Sequence, residues 1–391
     1  MRLRSSLGRA TVTAASLLAA GLGGCSTKGT CDGVGEMCRL AGTGEKVASL
    51  DSGLPALKTP LYDVTSVKRG PDGRVYVVNL NNYTLHAINA NGTMDIVAGN
   101  GDHDPAIPEA FATASPLWDP IDLAFRADGR DILVQLHDPK LYEIGLDQKL
   151  HVIAGLGANS NPEGTTFCVG TGDGGPAMQA GFCELTSIAI DGKGRIYLGD
   201  DSAYQIRMID TDGTISTLAG DGKLAPDSTY AYSGDGGPAT KAQLSTPTAL
   251  AIDLDGNLLF TDTGNHVVRK IDMTTGIITT VIGTHTDGFR GGFSGDDGPC
   301  LAAQMNQPAG VAVDTDGAIY VSDSYNERIR RVDPQTEVIT TIAGTGAGGL
   351  AGDSGPAILA KLNHPERLSV SEGTLYIADR LASVARQIRL R

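Results

Sequence analysis

SGDGGPATKAQLSTPTALAIDLDGNLLFTDTGNHVVRKIDMTTGIITTVIGT (233–284) and SGDDGPCLAAQMNQPAGVAVDTDGAIYVSDSYNERIRRVDPQTEVITTIAGT (294–345) are one pattern written twice. Laid over each other without a gap, they pair Asp253 with Asp314, Gly256 with Gly317, Asp262 with Asp323, Asn265 with Asn326, Arg269 with Arg330 and Asp272 with Asp333. A third copy runs from Gly172 to Gly220 and a fourth from Gly352 to Arg391, while weaker copies occupy 61–99 and 121–155. A fixed period of this length, six times over, means a propeller or a solenoid.

Within a unit the apolar runs TALAID, LLFTD, HVVRKID and ITTVIG alternate or are β-branched, and Gly, Asp and Asn turns bound them. That predicts four short strands per unit. The turns Asp253 to Gly256 and Thr274 to Gly276 suit hairpins, where glycine accepts positive φ. The expected fold is all-β: a six-bladed β-propeller of four-stranded antiparallel blades, a ring that leaves only short edges. The last unit stops at RQIRLR (386–391), before a fourth strand, and Leu40, Ala41 and Gly42 read like Leu218, Ala219 and Gly220. An N-terminal strand is therefore expected to complete the last blade.

These residues resemble the NHL-repeat proteins, whose units progress through GVAVD-, LYVAD- and GNHRIRK-like segments. The GDGGPA insert with TGNHVVRKID is similar to the subgroup found in teneurin-type NHL propellers and in bacterial secreted proteins. The resemblance covers 172–391 best, 40–99 fairly and 100–155 poorly. It implies a scaffold, and a function has to be argued from a site.

The first segment differs in kind. Arg2, Arg4 and Arg9 precede an apolar run from Val12 to Leu22, which meets Leu22, Gly23, Gly24 and Cys25. This is a secretory signal with a lipobox, and the run is too short to span a bilayer. The resemblance to bacterial lipoprotein precursors implies cleavage before Cys25 and acylation of that residue, which anchors a protein without a spanning helix. The expected organisation is a signal peptide over 1–24, a tether over 25–38 and the propeller over 39–391. The protein is then exported and lipid-anchored to the cell envelope, and Ser26 after the cysteine favours the outer membrane in a Gram-negative host.

The formal net charge is -14, and loss of the three signal arginines takes it to about -17. An acidic body without a basic cluster repels nucleic acid and anionic lipid. The membrane contact expected is the N-terminal lipid alone, and a monomer is expected. With Cys25 lipidated, the close pairs Cys31 with Cys38 and Cys168 with Cys183 read as disulfides in an oxidising compartment. Cys300 aligns with Ala177, Ala239 and Ala357 and reads as a small buried residue. No CxxC spacing supports a zinc ribbon.

Antiparallel alternation places the long GDGGPA inserts and the second-to-third turns on one face and the short turns on the other. Binding residues concentrate on such loops, so the long-loop face is the expected binding face. Asp173, Asp235, Asp296, Asp297 and Asp353 in the inserts have two readings. One is a ring of oxygen ligands for calcium. The other, favoured because the loop recurs in every well-preserved unit, is a local device capping the helical turn that Pro176, Pro238, Pro299 and Pro356 would open. No cofactor is expected beyond that calcium alternative, and the metal content is left open. Cross-strand pairing accounts for Asp200, Asp262, Asp323 and Asp379 with Arg207, Arg269, Arg330 and Arg386. The first two units break this set, with Asn79 and His86 in one and Gln135 and Tyr142 in the other.

A site should break the symmetry. Near the starts of the first strands stand Asp63, Asp122, Glu184, Thr248, Glu366 and Arg367, an acidic axial mouth with one cation; the alternative is a solvated funnel. Of the seven histidines, only His103, His137 and His364 could reach the long-loop face, and no three-histidine site is visible. No GxSxG, HExxH or P-loop occurs, so no catalytic residue is assigned. Trp118 with Tyr230, Tyr232, Phe289 and Phe293 offers at most a contact patch. The expected function is a binding module for a protein or small extracellular ligand on the long-loop face. A metal-dependent lyase or hydrolase at the axis, and a structural envelope scaffold, are the alternatives.

Overall fold

The computed structural model describes residues 31, 33–135, 138–156, 168, 170–223, 231–285 and 291–391. The signal segment, Cys25, His137, Tyr230 and Phe289 lie outside the described residues.

The chain forms an all-β propeller whose blades are antiparallel sheets of four or five strands. The unit containing the quoted repeat shows the rule. Its strands Pro247–Ile252, Leu258–Asp262, Val267–Ile271 and Ile278–Ile282 pair in sequence from the axis outward. The first hairpin closes because Gly256 donates to the Asp253 carbonyl at 3.0 Å with φ 81°, while the Asp253 side chain accepts from the Asn257 amide at 2.8 Å. That combination is what an Asp-x-x-Gly turn supplies.

Six such sheets are present, and the innermost strands are Val64–Arg69, Pro120–Phe125, Leu185–Ile190, Pro247–Ile252, Pro308–Val313 and Pro365–Ser371. Each neighbours the next around a ring, with Pro365–Ser371 beside Val64–Arg69. Burial follows the ring. Six apolar cores lie one between each successive pair of sheets, and the core between the last and first holds Leu40, Ala41, Leu61, Val64, Tyr376 and Ala385. Because each sheet buries both of its faces, the middle strands are mostly buried and largely apolar, as in LLFTD with its buried Thr261 and Asp262.

The N-terminal strand Glu36–Ala41 pairs antiparallel with the C-terminal strand Val384–Arg389, Met37 opposite Ile388 and Arg39 opposite Arg386. It starts inside the stretch expected to be tether, and Cys38 within it is bonded to Cys31. Cys168 and Cys183 form the second disulfide, and Cys300 is a buried free thiol.

The GDGGPA inserts depart from expectation. Instead of standing on the long-loop face, each runs along the outer edge of its own sheet toward the short turns: Gly298–Pro299 pairs with Ile339 and Val338, Pro176 bridges Thr214, and Pro238 bridges Ile277. Each proline does open a helical turn, of 3-10 type, at Ala177–Gln179, Ala239–Lys241, Cys300–Ala302 and Ala357–Leu359. None of these turns has a side-chain cap, because the insert carboxylates are turned toward arginine.

Candidate functional site

In the three best-preserved blades the charged residues of the repeat make one device. Arg269, fully buried, is held between Asp235 of the insert at 2.6 Å and Asp262 at the end of the second strand at 3.3 Å. Arg330 does the same with Asp296 and Asp323, and Arg386 with Asp353 and Asp379. The second carboxylate also accepts a backbone N–H from the segment before the first strand: Ser245, Asn306 or Asn363 at 2.7 Å. A buried guanidinium thus ties the outer insert to the inner loop with its charge compensated. Of the insert carboxylates, Asp173, Asp235, Asp296 and Asp353 are each paired with an arginine.

The asymmetric residues behave differently, and strand register explains why. Asp63 and Glu184 precede their inner strands, Thr248 and Glu366 are the second residues, and Asp122 and Arg367 the third. The third position is otherwise small, with Ser66, Ser187, Ala249 and Gly310. Gly310 is required there, since a Cβ would collide with the Glu366 carbonyl. This leaves space at the axis for one long side chain.

Arg367 fills it. Its Nη1 donates to the Thr65 carbonyl at 3.4 Å and its Nη2 to the Thr248 carbonyl at 3.2 Å and to the Thr186 carbonyl, so one guanidinium serves the first, third and fourth blades. Its Nε lies 3.7 Å from the Asp122 carboxylate of the second blade. Asp122 also accepts from Ser66 Oγ at 2.7 Å, Lys68 Nζ at 2.8 Å and the Ile188 amide at 3.2 Å. Inner strands are edge strands whose free carbonyls need donors, and Arg367 supplies three of them while closing the channel.

Toward the long-loop face the cluster continues. Glu366 meets Arg367 at 3.3 Å and Arg380 at 2.6 Å. Arg380 Nε lies 3.8 Å from Asp63, which also faces Lys46 at 3.5 Å and accepts from Asn81 at 2.9 Å. Thr248 contributes its carbonyl to Arg367, while its hydroxyl pairs with Thr261 and Thr263. Glu184, half-buried, meets Ser202. Beside it Asp201 has a buried Oδ1 with no partner, and burial followed by the Glu184 and Asp200 charges pushes its carboxyl up to about 7.

The structure therefore brings Asp63, Asp122, Glu366 and Arg367 into one network, with Thr248 and Glu184 at its margin. The mouth is not acidic with one cation. Lys46, Lys68 and Arg380 join Arg367, and Asp63, Asp122, Glu366 and Arg367 are buried rather than lining an open funnel. The signal for Arg380 and Asp201 was in the alignment. They follow the second strand where the fourth and fifth blades carry Thr263 and Ser324, whose hydroxyls bond the next blade's Pro308 and Pro365 carbonyls. His103 stacks on Tyr83 at 4.5 Å and contacts Trp118, and His364 meets Tyr325 edge-on at 4.7 Å. Among the described residues, no group of three or more His, Cys, Asp or Glu side chains is placed to hold a metal ion.

Fold and axial network define a β-propeller with a polar plug. Residues 134–231 and 219–294 match the family described as the teneurin NHL domain, and 305–331 match the NHL repeat. The chain is 26% identical over 267 residues to Protein SUPPRESSOR OF QUENCHING 1, chloroplastic, of Arabidopsis thaliana, covering 66% of this chain and 24% of that protein. It is 29% identical over 343 residues to human teneurin-4, covering 79% of this chain and 11% of the relative. The chain thus spans a quarter or less of these relatives. Among solved structures, a Bacteroides thetaiotaomicron protein of unknown function superposes with a TM-score of 0.65 at 15% identity, over 90% of this chain and 75% of that one. An auxiliary nutrient binding protein from the same organism gives 0.60 at 16%, with the same coverage. These likenesses support an NHL-type β-propeller.

Proposed function

We propose that the protein is an exported binding module, a six-bladed NHL propeller closed by its N-terminal strand, that takes a protein or small extracellular ligand at the axial mouth of its long-loop face. One observation carries this reading: the residues in or beside the inner strands that depart from the repeat, Asp63, Asp122, Glu366 and Arg367, converge at the axis, whereas the charged residues that obey it are consumed by scaffold ion pairs. Arg367 blocks passage through the ring, so a ligand is read at the mouth. There half-buried Glu184 offers acceptors for a ligand's N–H or O–H groups, and the adjacent Asp201 carboxyl adds to the polar character of that margin. An auxiliary nutrient binding protein with this fold accords with such a role.

We place the protein on the envelope through lipidation of Cys25, on the strength of the Leu22 to Cys25 cluster and two disulfides compatible with export. Mass spectrometry of the membrane-extracted protein tests this, with an acylated N-terminal cysteine expected and an intact signal segment against it. For the mouth, Glu184→Lys with Asp201→Asn should abolish capture of the envelope ligand by immobilised protein while the melting temperature holds. Undiminished capture would remove these residues from the site.

A further inference from the structure

A second departure from symmetry lies on the opposite side of the ring, between the first and second blades. The second-strand residue that pairs with the sixth residue of the inner strand is Val75, Ile196, Leu258, Ile319 and Leu375 in five blades. In the second blade it is Asp131, paired with Phe125. Five aliphatic side chains and one carboxylate at a position between packed blades is an exception, and the half-buried Asp131 carboxylate stands where partial loss of water disfavours its charge.

Among the described residues, the Asp131 side chain has no hydrogen bond or ion pair, its backbone alone pairing with Phe125 and Ile144. It lines a cleft of about 380 Å³ with Asp72, Arg74, Tyr76, Asp128 and Leu146. The other charges of that cleft are already matched. Arg74 Nε meets Asp72 at 2.5 Å and its Nη2 donates to the Tyr76 hydroxyl at 2.7 Å, which itself donates to Asp72 at 3.0 Å. Asp128 holds Arg130 at 2.6 Å. The arginine and tyrosine of the first blade recur in the third as Arg195 and Tyr197, where Asp191, two positions earlier in the turn than Asp72, makes the same contacts, so the trio belongs to the scaffold. Asp131 is the surplus: its carboxylate has no matched cation, and burial followed by the Asp72 charge pushes its carboxyl up to about 7. Tyr76, Val97, Ile144 and Leu146 supply the apolar part of the remaining wall, and Gln148 a polar part. A half-buried, unmatched carboxylate in a part-apolar cleft is complementary to a cationic head on an alkyl stem.

We propose that this cleft is a binding site for an alkylammonium group, with Asp131 as its counter-ion and Tyr76 and Leu146 covering the methylenes. Such a group comes either from a free amine or from a lysyl side chain, and the site is independent of the axial mouth.

The test is calorimetric titration of the purified protein with pentylammonium, with pentanoate as the control. Saturable binding of the amine, and at least tenfold weaker binding of the acid, is expected. A parallel titration with acetyl-lysine methylamide separates the sources: tighter binding than pentylammonium assigns a lysyl side chain, and weaker binding a free amine. Asp131→Leu installs the residue type of the other five blades. It should abolish amine binding and raise the melting temperature, because the burial penalty is removed without loss of a bond. Absence of saturable binding to wild-type protein would overturn the proposal. So would an Asp131→Leu protein that still binds the amine, or one that melts lower than wild type.

Discussion

His86 occupies the position at which four blades bury an arginine, and what surrounds it explains the exchange. Where Arg269 has Asp235 and Asp262, the first blade has Ser52 and Asn79, so both carboxylates vanish with the guanidinium. A buried imidazole without a carboxylate partner stays neutral, and burial lowers the His86 pKa to about 4. The unfolded chain binds that proton near pH 6.5, so between 6.5 and 4 the unfolded state holds more protons, and stability is lost as pH falls through that window. The loss is of order 3 kcal/mol. Asp200, Asp262, Asp323 and Asp379, raised to about 6 or 7 by burial, run the other way. The informative quantity is therefore the difference between wild type and His86→Gln in denaturant melts from pH 7 to 4. The variant should lack the acid-side loss attributable to His86, and parallel curves would show that His86 is protonated in the folded protein.

At the scale of the element, the unit is the aspartate–arginine–aspartate device rather than the strand. Arg269→His alone leaves Asp262 and Asp235 unmatched and should cost about 3–5 kcal/mol, the usual penalty for breaking a buried pair from one side. Adding Asp262→Asn and Asp235→Ser reproduces the first-blade set and should recover most of that loss in urea melts. No recovery would mean that the sets are not interchangeable. This device also shows how far the sequence could be read. Matching of Asp262 with Asp323 and Arg269 with Arg330 made strands and pairing legible, because a repeated polar residue on an apolar strand needs a repeated partner. The side to which the insert turns was not legible, since Asp235 can cap a proline-opened turn or reach Arg269, and only the packed outer edge decides. At the axis, Asp63, Asp122, Glu366 and Arg367 were recognisable as departures from the repeat. Their depth was hidden, because an inner-strand bulge places the second and third residues differently from simple alternation. Lys68 and Lys46 escaped notice because lysines on strand ends and loops are ordinarily solvated.

For the whole molecule, the proposed closure by the N-terminal strand is the property on which the rest depends. The core between the last and first sheets is shared by the N-terminal strand, and Met37, fully buried, packs instead in the core between the fifth and sixth. Met37→Asp puts a carboxylate into that core and should lower stability by roughly 3–5 kcal/mol, read as an earlier urea midpoint. A midpoint within error of wild type would show that the strand is not part of the ring in solution. The central claim is that obedience to the repeat builds the scaffold and departure from it at the axis builds recognition. One side-by-side measurement separates the two: capture of the envelope ligand by protein bearing Glu184→Lys and Asp201→Asn, against protein bearing the first-blade set at 235, 262 and 269. The account predicts that the mouth variant loses capture at an unchanged melting temperature and the rim variant keeps capture. Capture retained by the mouth variant and lost by a folded rim variant would contradict it.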